Sequence, residues 1–221
     1  MSLLVKICGI TSAESADAAA LAGADLAGLA FHSGSPRNLR PEQAAMIAAR
    51  LRGKVRLVAL FSDPSDDALF AAVAAVKPDF VQLHGSETPQ RVVAIRHLIG
   101  VGIIKAIAVA DASDVALANR YEDCADMLLF DAKPPSGAVP EGGHGAPFDW
   151  QILRGRSFTR PWLLAGGLTP ENVARAIRAS HPPGVDVSSG VETARGQKSA
   201  ELIGQFVANA RGAQFVKETP R

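Results

Sequence analysis

The sequence is poor in cysteine and in aromatic residues and has no long apolar run, and each shortage excludes a class of protein. Two cysteines among 221 residues cannot build a disulfide framework. Aromatic residues make up 5% of the chain and 23 basic residues balance 22 acidic ones, which argues against a nucleic-acid-binding surface. No apolar run approaches the roughly 18 residues of a membrane span, and the run near the N-terminus is too short for a signal peptide. We therefore expect a soluble, cytoplasmic protein that binds neither nucleic acid nor membrane.

Short apolar runs of strand length are frequent. Hydrophobic residues make up 48% of the sequence, and most of the runs lack the polar alternation of a half-exposed sheet, which is typical of parallel strands buried on both faces. The predicted strands span residues 3–7, 26–31, 56–61, 80–83, 102–106, 127–130, 162–165 and 184–187. Alanine-rich segments with helical spacing lie between them, and we predict helices over residues 15–21, 41–51, 65–76, 89–98 and 170–179.

Several predicted helices begin at a capping side chain followed by proline, which suits the first helical position. The capping pairs are Asp63-Pro64, Thr88-Pro89 and Thr169-Pro170. A strand followed by a helix, repeated along the whole chain, predicts the α/β class and a single (β/α)8 barrel of parallel strands over residues 1–221. A doubly wound sheet is the alternative, although it requires a clear topological switch point.

One connection is much longer than the rest. Residues 132–148 follow the sixth predicted strand and are rich in proline and glycine, with glycine at positions 137, 142, 143 and 145. A loop of this length in a compact domain is usually either functional or disordered. Because it follows the carboxyl end of a strand, we expect it to close over the catalytic face as a lid; a tolerated surface insertion is the alternative.

Two apolar strands near the C-terminal end of the chain stop at small residues. Gly166 and Gly167 follow one strand, while Ser188, Ser189 and Gly190 follow the other. Backbone amides without bulky side chains, aimed from a helix N-terminus, form a site for a phosphate dianion. In a parallel barrel such a site commonly lies after strands 7 and 8. These five residues are therefore predicted to bind the phosphate of a phosphorylated ligand.

Two strand ends carry groups suited to proton transfer. Cys8 ends the first strand, and Lys6 lies two residues earlier on the same side, where its charge favours the thiolate and so is expected to lower the pKa of Cys8. Asp131 follows three apolar residues at the end of the sixth strand, a rim position that suits a general acid. A base on strand 1 and an acid on strand 6 would face each other across the barrel mouth. The alternatives are a small buried thiol at Cys8 and, for Asp131, a carboxylate that caps a neighbouring element or pairs with Lys133.

Three further residues are candidates for binding substrate. Arg37 follows a Ser-Pro turn after the second strand and suits a bidentate hold on a carboxylate, although a solvated loop arginine is nearly as well supported. His84 ends the fourth strand and shares a face with Gln82, so it either contacts substrate or is a hydrogen-bonded rim histidine. Asp186, in the eighth strand, neighbours strand 1 in a closed barrel and is expected to pair with Lys6 or to reach substrate.

The sequence predicts no metal site and no cofactor. The histidines are scattered without metal-ligand spacing, at positions His32, His84, His97, His144 and His181. No dinucleotide fingerprint, Walker motif or nucleophile elbow is present. Cys124 precedes the sixth strand, at the opposite barrel end from Cys8, so we expect both thiols to be free and Cys124 to be structural.

Taken together, the strand-end motifs resemble those of phosphoribosylanthranilate isomerases over nearly the whole chain. The motifs are Lys6-Ile7-Cys8-Gly9-Ile10-Thr11, Ser35-Pro36-Arg37, Gln82-Leu83-His84-Gly85, Phe130-Asp131, Ala165-Gly166-Gly167-Leu168 and Asp186-Val187-Ser188-Ser189-Gly190-Val191-Glu192. The resemblance implies an Amadori rearrangement in tryptophan biosynthesis, with Cys8 as general base, Asp131 as general acid and Arg37 on the anthranilate carboxylate. It departs at the lid, where the family usually has threonine or asparagine and this chain has His144.

Several alternatives remain open at this stage. A barrel similar to thiamine-phosphate synthase would need a magnesium-binding carboxylate pair, and one similar to indole-glycerol-phosphate synthase would need a catalytic lysine with glutamates. A catalytically silent barrel that senses a sugar phosphate is a third possibility. The predicted partner is a small phosphosugar, and the chain is expected to be a monomer or a homodimer.

Overall fold

The structure is a computed structural model that describes residues 2–133 and 148–213. The predicted lid therefore lies almost entirely outside the described residues, and so does His144. The lid and its histidine stay predictions.

Eight parallel strands form one closed barrel in sequence order, and the last strand pairs with the first. They are β1 (Leu4–Cys8), β2 (Leu26–Ala30), β3 (Arg56–Phe61), β4 (Phe80–Leu83), β5 (Gly102–Val109), β6 (Met127–Ala132), β7 (Trp162–Leu164) and β8 (Gly184–Val187). All residues of β2 and β8 are buried, which is the pattern of a sheet covered on both faces. The (β/α)8 barrel predicted from the sequence is confirmed.

Helices cover the outside of the barrel. They are α1 (Ala13–Leu21), α2 (Pro41–Leu51), α3 (Asp66–Val76), α4 (Pro89–Ile99), α5 (Ala112–Ala116), α6 (Val173–Ser180) and α7 (Ala200–Ala213). The prediction for α2 is confirmed at both ends, and α4 begins as predicted with the Thr88 side chain accepting from the Arg91 amide. None of the helices in the described part of the chain is long and apolar enough to span a bilayer.

Two of the three helix starts predicted from capping pairs are wrong. Ser65 rather than Asp63 caps α3, because Asp63 has left-handed backbone (φ 47°) and its carboxylate instead accepts from the Ser86 amide in the next loop. Helix α6 begins at Val173 rather than Pro170. Asn172 bridges this turn, since its side chain accepts from the Thr169 amide and donates to the Gly167 carbonyl.

Several elements were not predicted. Among described residues, β6 and β7 are joined by a single 3-10 turn (Trp150–Leu153) instead of an α-helix. Helices α5 and α7 lie after β5 and β8, where the strand–helix repeat predicts helices, although their bounds were not predicted. An antiparallel hairpin of β9 (Glu192–Ala194) and β10 (Gln197–Lys198), which follows β8, was not predicted.

The core has two layers because strand residues alternate between the two faces. Val5 and Ile7 pack outward against the helices, whereas a smaller apolar cluster fills the barrel interior. The interior cluster is Leu26, Val58, Ile104, Ala106, Met127, Leu129, Leu163 and Ala165. Alternation therefore places Lys6 and Cys8 on the inner face of β1, with Cys8 at its carboxyl end.

Candidate active site

The same alternation brings the predicted residues to one end of the barrel. In β8, Val185 and Val187 belong to the outer cluster, so Asp186 faces inward. In β6, Leu129 belongs to the inner cluster, and Asp131 lies two residues further along the same face. His84 follows Gln82 on β4 by the same rule. The carboxyl ends of these strands meet at one mouth, which is where active sites of such barrels lie.

Lys6 and Asp186 form a buried ion pair inside the barrel. The Lys6 Nζ lies 2.9 Å from Asp186 Oδ1, and the Lys6 side chain is fully buried. Burial raises the pKa of the Asp186 carboxyl, while the charge of Lys6 opposes that shift. Burial lowers the pKa of Lys6, but the charges of Asp186 and Cys8 more than reverse this, so the pKa of Lys6 rises. The predicted pairing of these two residues is confirmed.

Cys8 lies beside this pair, and the expected lowering of its pKa is wrong. Burial raises the pKa of the Cys8 thiol, and the charge of Lys6 only partly offsets it because Asp186 contributes in the opposite sense. A Cβ on Gly28, its partner in β2, would lie 2.8 Å from Cys8 Sγ, so the neighbouring strand leaves room for the thiol only with glycine there. Cys8 is therefore a buried, free cysteine whose pKa is set mainly by burial.

Asp131 and His84 contact each other across the mouth. His84 Nε2 lies 3.1 Å from Asp131 Oδ2, and the other carboxylate oxygen accepts from the Ala132 amide at 2.9 Å. Gln82 Nε2 lies 3.2 Å from His84 Nδ1, which orients the ring. Lys133 pairs with Asp114 instead, so the alternative pairing of Asp131 with Lys133 is wrong.

Arg37 is buried, contrary to the solvated-loop alternative, and a glutamate of this chain holds it. Its Nε and Nη2 lie 2.7 and 2.8 Å from the two carboxylate oxygens of Glu192. Burial alone would raise the pKa of Glu192, but the hydrogen bond from Arg37 and the charge of Lys198 lower it to about 2. Sequence reasoning missed Glu192 and Lys198 as partners, because a contact across 155 positions leaves no local signal.

The two predicted phosphate-binding loops touch each other. A Cβ on Gly190 would lie 1.8 Å from the Leu168 carbonyl oxygen, so the loop after β8 crosses the loop after β7 at van der Waals distance. Gly166 and Gly167 both have positive φ (84° and 63°), a conformation that L side chains rarely adopt. Ser188 and Ser189 are partly exposed beside them.

A second buried ion pair supports the loop that follows His84. Lys105 Nζ lies 2.9 Å from Glu87 Oε2 and donates to the Gly85 carbonyl at 2.9 Å, while Glu87 Oε1 accepts from the Gly85 amide. Lys105 faces outward, since its neighbours Ile104 and Ala106 belong to the inner cluster. A single lysine within the apolar strand β5 is the feature of the sequence that could have predicted this buried ion pair.

Cys124 is not brought to the site. It is buried before β6, in the outer cluster, and both cysteines are free, as expected. Among residues 2–133 and 148–213, no three or more histidine, cysteine, aspartate or glutamate side chains are grouped so as to hold a metal ion.

A closed (β/α)8 barrel with a thiol, carboxylates and a histidine at the carboxyl ends of its strands defines a class, the barrel enzymes whose active site lies at that face. The family model described as N-(5'phosphoribosyl)anthranilate (PRA) isomerase matches residues 5–209. The chain belongs to this family.

Individual relatives agree over nearly full length. The chain is 50% identical over 214 residues to the N-(5'-phosphoribosyl)anthranilate isomerase of Paramagnetospirillum magneticum, covering 97% of this chain and 100% of that one. The phosphoribosyl anthranilate isomerase structure from Thermotoga maritima superposes with a TM-score of 0.86 at 36% identity, covering 95% and 99% of the two chains. A further solved isomerase, 34% identical with a TM-score of 0.81 and the same coverage, is a complex with reduced 1-(o-carboxyphenylamino)-1-deoxyribulose 5-phosphate.

The reaction is therefore an aldose–ketose isomerisation in tryptophan biosynthesis. N-(5-phosphoribosyl)anthranilate is converted to 1-(2-carboxyphenylamino)-1-deoxyribulose 5-phosphate by an Amadori rearrangement. The transferase, the synthase and the silent sensor considered from the sequence are wrong.

Proposed function

We propose that Cys8 is the general base and Asp131 the general acid of this isomerisation. The observation that carries the proposal is that both side chains lie at the carboxyl end of the barrel on its inner face, Cys8 beside the Lys6–Asp186 ion pair and Asp131 with Oδ2 3.1 Å from His84 Nε2. Asp131 protonates the furanose ring oxygen as the ring opens to a Schiff base. The Cys8 thiolate then removes the proton on C2′, and the resulting enolamine tautomerises to the ketone.

Both steps are proton transfers at carbon or oxygen, and the rearrangement leaves the oxidation level of the molecule unchanged, so no cofactor is proposed. The buried thiol has to lose its proton before it acts as a base. The ammonium groups of Lys6 and Lys198 favour this loss, since both charges lower the pKa of Cys8 against burial.

The phosphate of the substrate is assigned to the touching loops after β7 and β8. The residues are Gly166, Gly167, Ser188, Ser189 and Gly190. Backbone amides at glycine and serine approach an anion closely because no bulky side chain intervenes. The turn that precedes α6 adds the Thr169–Asn172 hydrogen bond, which keeps the loop in place.

Arg37, His84 and Asp186 are assigned to the rest of the substrate. Glu192 occupies Nε and Nη2 of Arg37, so the guanidinium presents Nη1 to the anthranilate carboxylate. His84 orients the Asp131 carboxylate and lies next to the sugar of the substrate. Asp186 contacts the substrate from β8. With the phosphate and the carboxylate both anchored, the sugar is oriented between acid and base.

The Asp131→Asn variant tests the acid. The amide keeps the shape of the side chain but carries no acidic proton, so we expect turnover to fall by about 10²–10⁴-fold. Loss of anthranilate fluorescence after addition of substrate measures the rate. Asp114→Asn, which changes the partner of Lys133, is the control and should keep its rate; an Asp131→Asn variant that also kept its rate would contradict the assignment.

We also infer that the protein works in the cytoplasm, because the proposed base has to remain a free thiol and cytoplasmic thiols are kept reduced. The ligand is a small phosphosugar, as in the solved complex of the relative. Monomer or homodimer stays a prediction, which sedimentation equilibrium decides.

A further inference from the structure

The β9–β10 hairpin supplies neither the proposed base nor the proposed acid, yet it carries two buried charged side chains. The side chains of Glu192 and Lys198 are 4% and 0% exposed and lie 2.7 Å apart. Removing two charges from water is costly unless further hydrogen bonds satisfy them. The other hydrogen-bond partners of Glu192 and Lys198 therefore indicate the role of this ion pair.

Besides its bond with Lys198, the Glu192 carboxylate accepts hydrogen bonds from Arg37 and from the backbone of the hairpin turn. The carboxylate accepts two parallel bonds from the guanidinium, and the Gly196 amide of the hairpin turn donates to Oε2 at 3.1 Å. The stem of Arg37 crosses the β1 loop, where a Cβ on Gly9 would lie 2.3 Å from Arg37 Cδ. Glu192 thus fixes the guanidinium, while the β1 loop packs against the aliphatic stem of Arg37.

Lys198 ties this arrangement to the loop after β8. Its Nζ donates to the Ser188 carbonyl at 3.0 Å and lies 3.4 Å from Ser188 Oγ, in addition to its bond with Glu192. The hairpin turn is also anchored, because Thr11 Oγ1 donates to the Gly196 carbonyl at 3.1 Å. One continuous set of bonds therefore joins Arg37, through Glu192 and Lys198, to Ser188.

We propose that Glu192 and Lys198 are positioning residues that hold the two anchors of the substrate in fixed relation, Arg37 for the aromatic carboxylate and the Ser188 loop for the phosphate. Glu192 sets the orientation of the guanidinium and so the preference for a carboxylate-bearing substrate. Lys198 couples that orientation to the phosphate loop. The proposal rests on the assignments of Arg37 and Ser188 under the proposed function.

The Glu192→Gln variant tests the first part. Glutamine keeps the shape but loses the charge and one acceptor oxygen toward Arg37, so the guanidinium is no longer held bidentately. With the natural substrate we expect KM to rise about 10-fold or more, the effect of losing a charge-assisted hydrogen bond, with kcat nearly unchanged. With the phosphoribosyl derivative of aniline, which lacks the carboxylate, KM should be almost unaffected.

The matched control is Glu201→Gln on α7, an exposed glutamate whose carboxylate accepts from Gln205 along its own helix; it should change neither KM. Equal increases of KM for both substrates in Glu192→Gln would overturn the positioning role, because general damage to the barrel acts on both. An unchanged preference for the carboxylate would overturn it as well.

Lys198→Met tests the coupling and serves if Glu192→Gln fails to fold. Ser188 then loses its ammonium donor, so the inhibition constant of inorganic phosphate should rise together with KM for the natural substrate. An unchanged phosphate constant would overturn the coupling. The Arg37→Met variant separates this inference from the function on which it rests. A normal preference for the carboxylate-bearing substrate in Arg37→Met would refute the assignment of Arg37 itself. Loss of that preference in Arg37→Met but not in Glu192→Gln would refute only the positioning role of Glu192.

Discussion

Among single residues, Cys8 shows how neighbouring charges decide the state of a buried group. Burial raises the pKa of its thiol, Lys6 opposes that shift, and Asp186 reinforces it. The two members of one ion pair thus act on the same thiol in opposite directions, which gives a prediction with a sign.

Asp186→Asn should lower the pKa of Cys8, because the charge of Lys6 remains and the opposing carboxylate is gone. Lys6→Met should raise the pKa of Cys8, because the thiolate then loses the positive charge that lowers this pKa most. The pKa is measured from the ultraviolet absorbance of the thiolate against pH, with Cys8→Ser as the background. Shifts of the same sign in both variants would contradict the described arrangement.

The sequence alone predicts which face of a strand a residue occupies where apolar neighbours alternate with it. Lys6, Cys8, Asp131 and Asp186 each stand at a fixed spacing from apolar neighbours, so a shared face followed from the pattern. The state of Cys8 did not follow, since the balance between burial and two opposing charges depends on three-dimensional distances. The Glu192 partner of Arg37 was missed for a similar reason, because it comes from a distant part of the chain.

Among secondary-structure elements, the loops after β7 and β8 depend on contact with each other. Gly190 lies against the Leu168 carbonyl so closely that any Cβ would displace it. Local capping rules misplaced the start of α6 here, because Asn172 organises the turn through bonds that a capping pattern at Thr169 does not reveal.

Gly190→Ala should therefore weaken phosphate binding. The added methyl group forces the loops apart, so the phosphate dianion should lose one hydrogen bond from a backbone amide. The inhibition constant of inorganic phosphate should then rise by about 10-fold or more. Gly204→Ala is the control: a Cβ at that position of α7 meets nothing within 4 Å, so it should leave phosphate binding unchanged and stabilise the helix by about 0.5–1 kcal/mol. Equal phosphate affinities in the two variants would refute the placement of the anion.

Across the full barrel, closure is what assembles the site. The pairing of β8 with β1 sets Lys6 opposite Asp186 in register, and the same closure brings Cys8 and Asp131 to one mouth from distant parts of the chain. This much could be predicted, because eight apolar runs with helical segments between them indicate a closed parallel sheet. The bounds of the short α5 and the presence of the β9–β10 hairpin could not be predicted, because neither segment shows such periodicity.

The most direct measurement compares turnover of Cys8→Ser with that of Cys124→Ser. Both residues are buried free thiols, but only Cys8 lies at the active mouth. We predict that Cys8→Ser lowers kcat by about 10²–10⁴-fold. The serine hydroxyl does not ionise near neutral pH, so no anionic base is available to remove the carbon-bound proton. Binding of the reduced product analogue should persist in Cys8→Ser, and Cys124→Ser should turn over at the normal rate. Near-normal turnover in Cys8→Ser would contradict the assignment of Cys8 as the base.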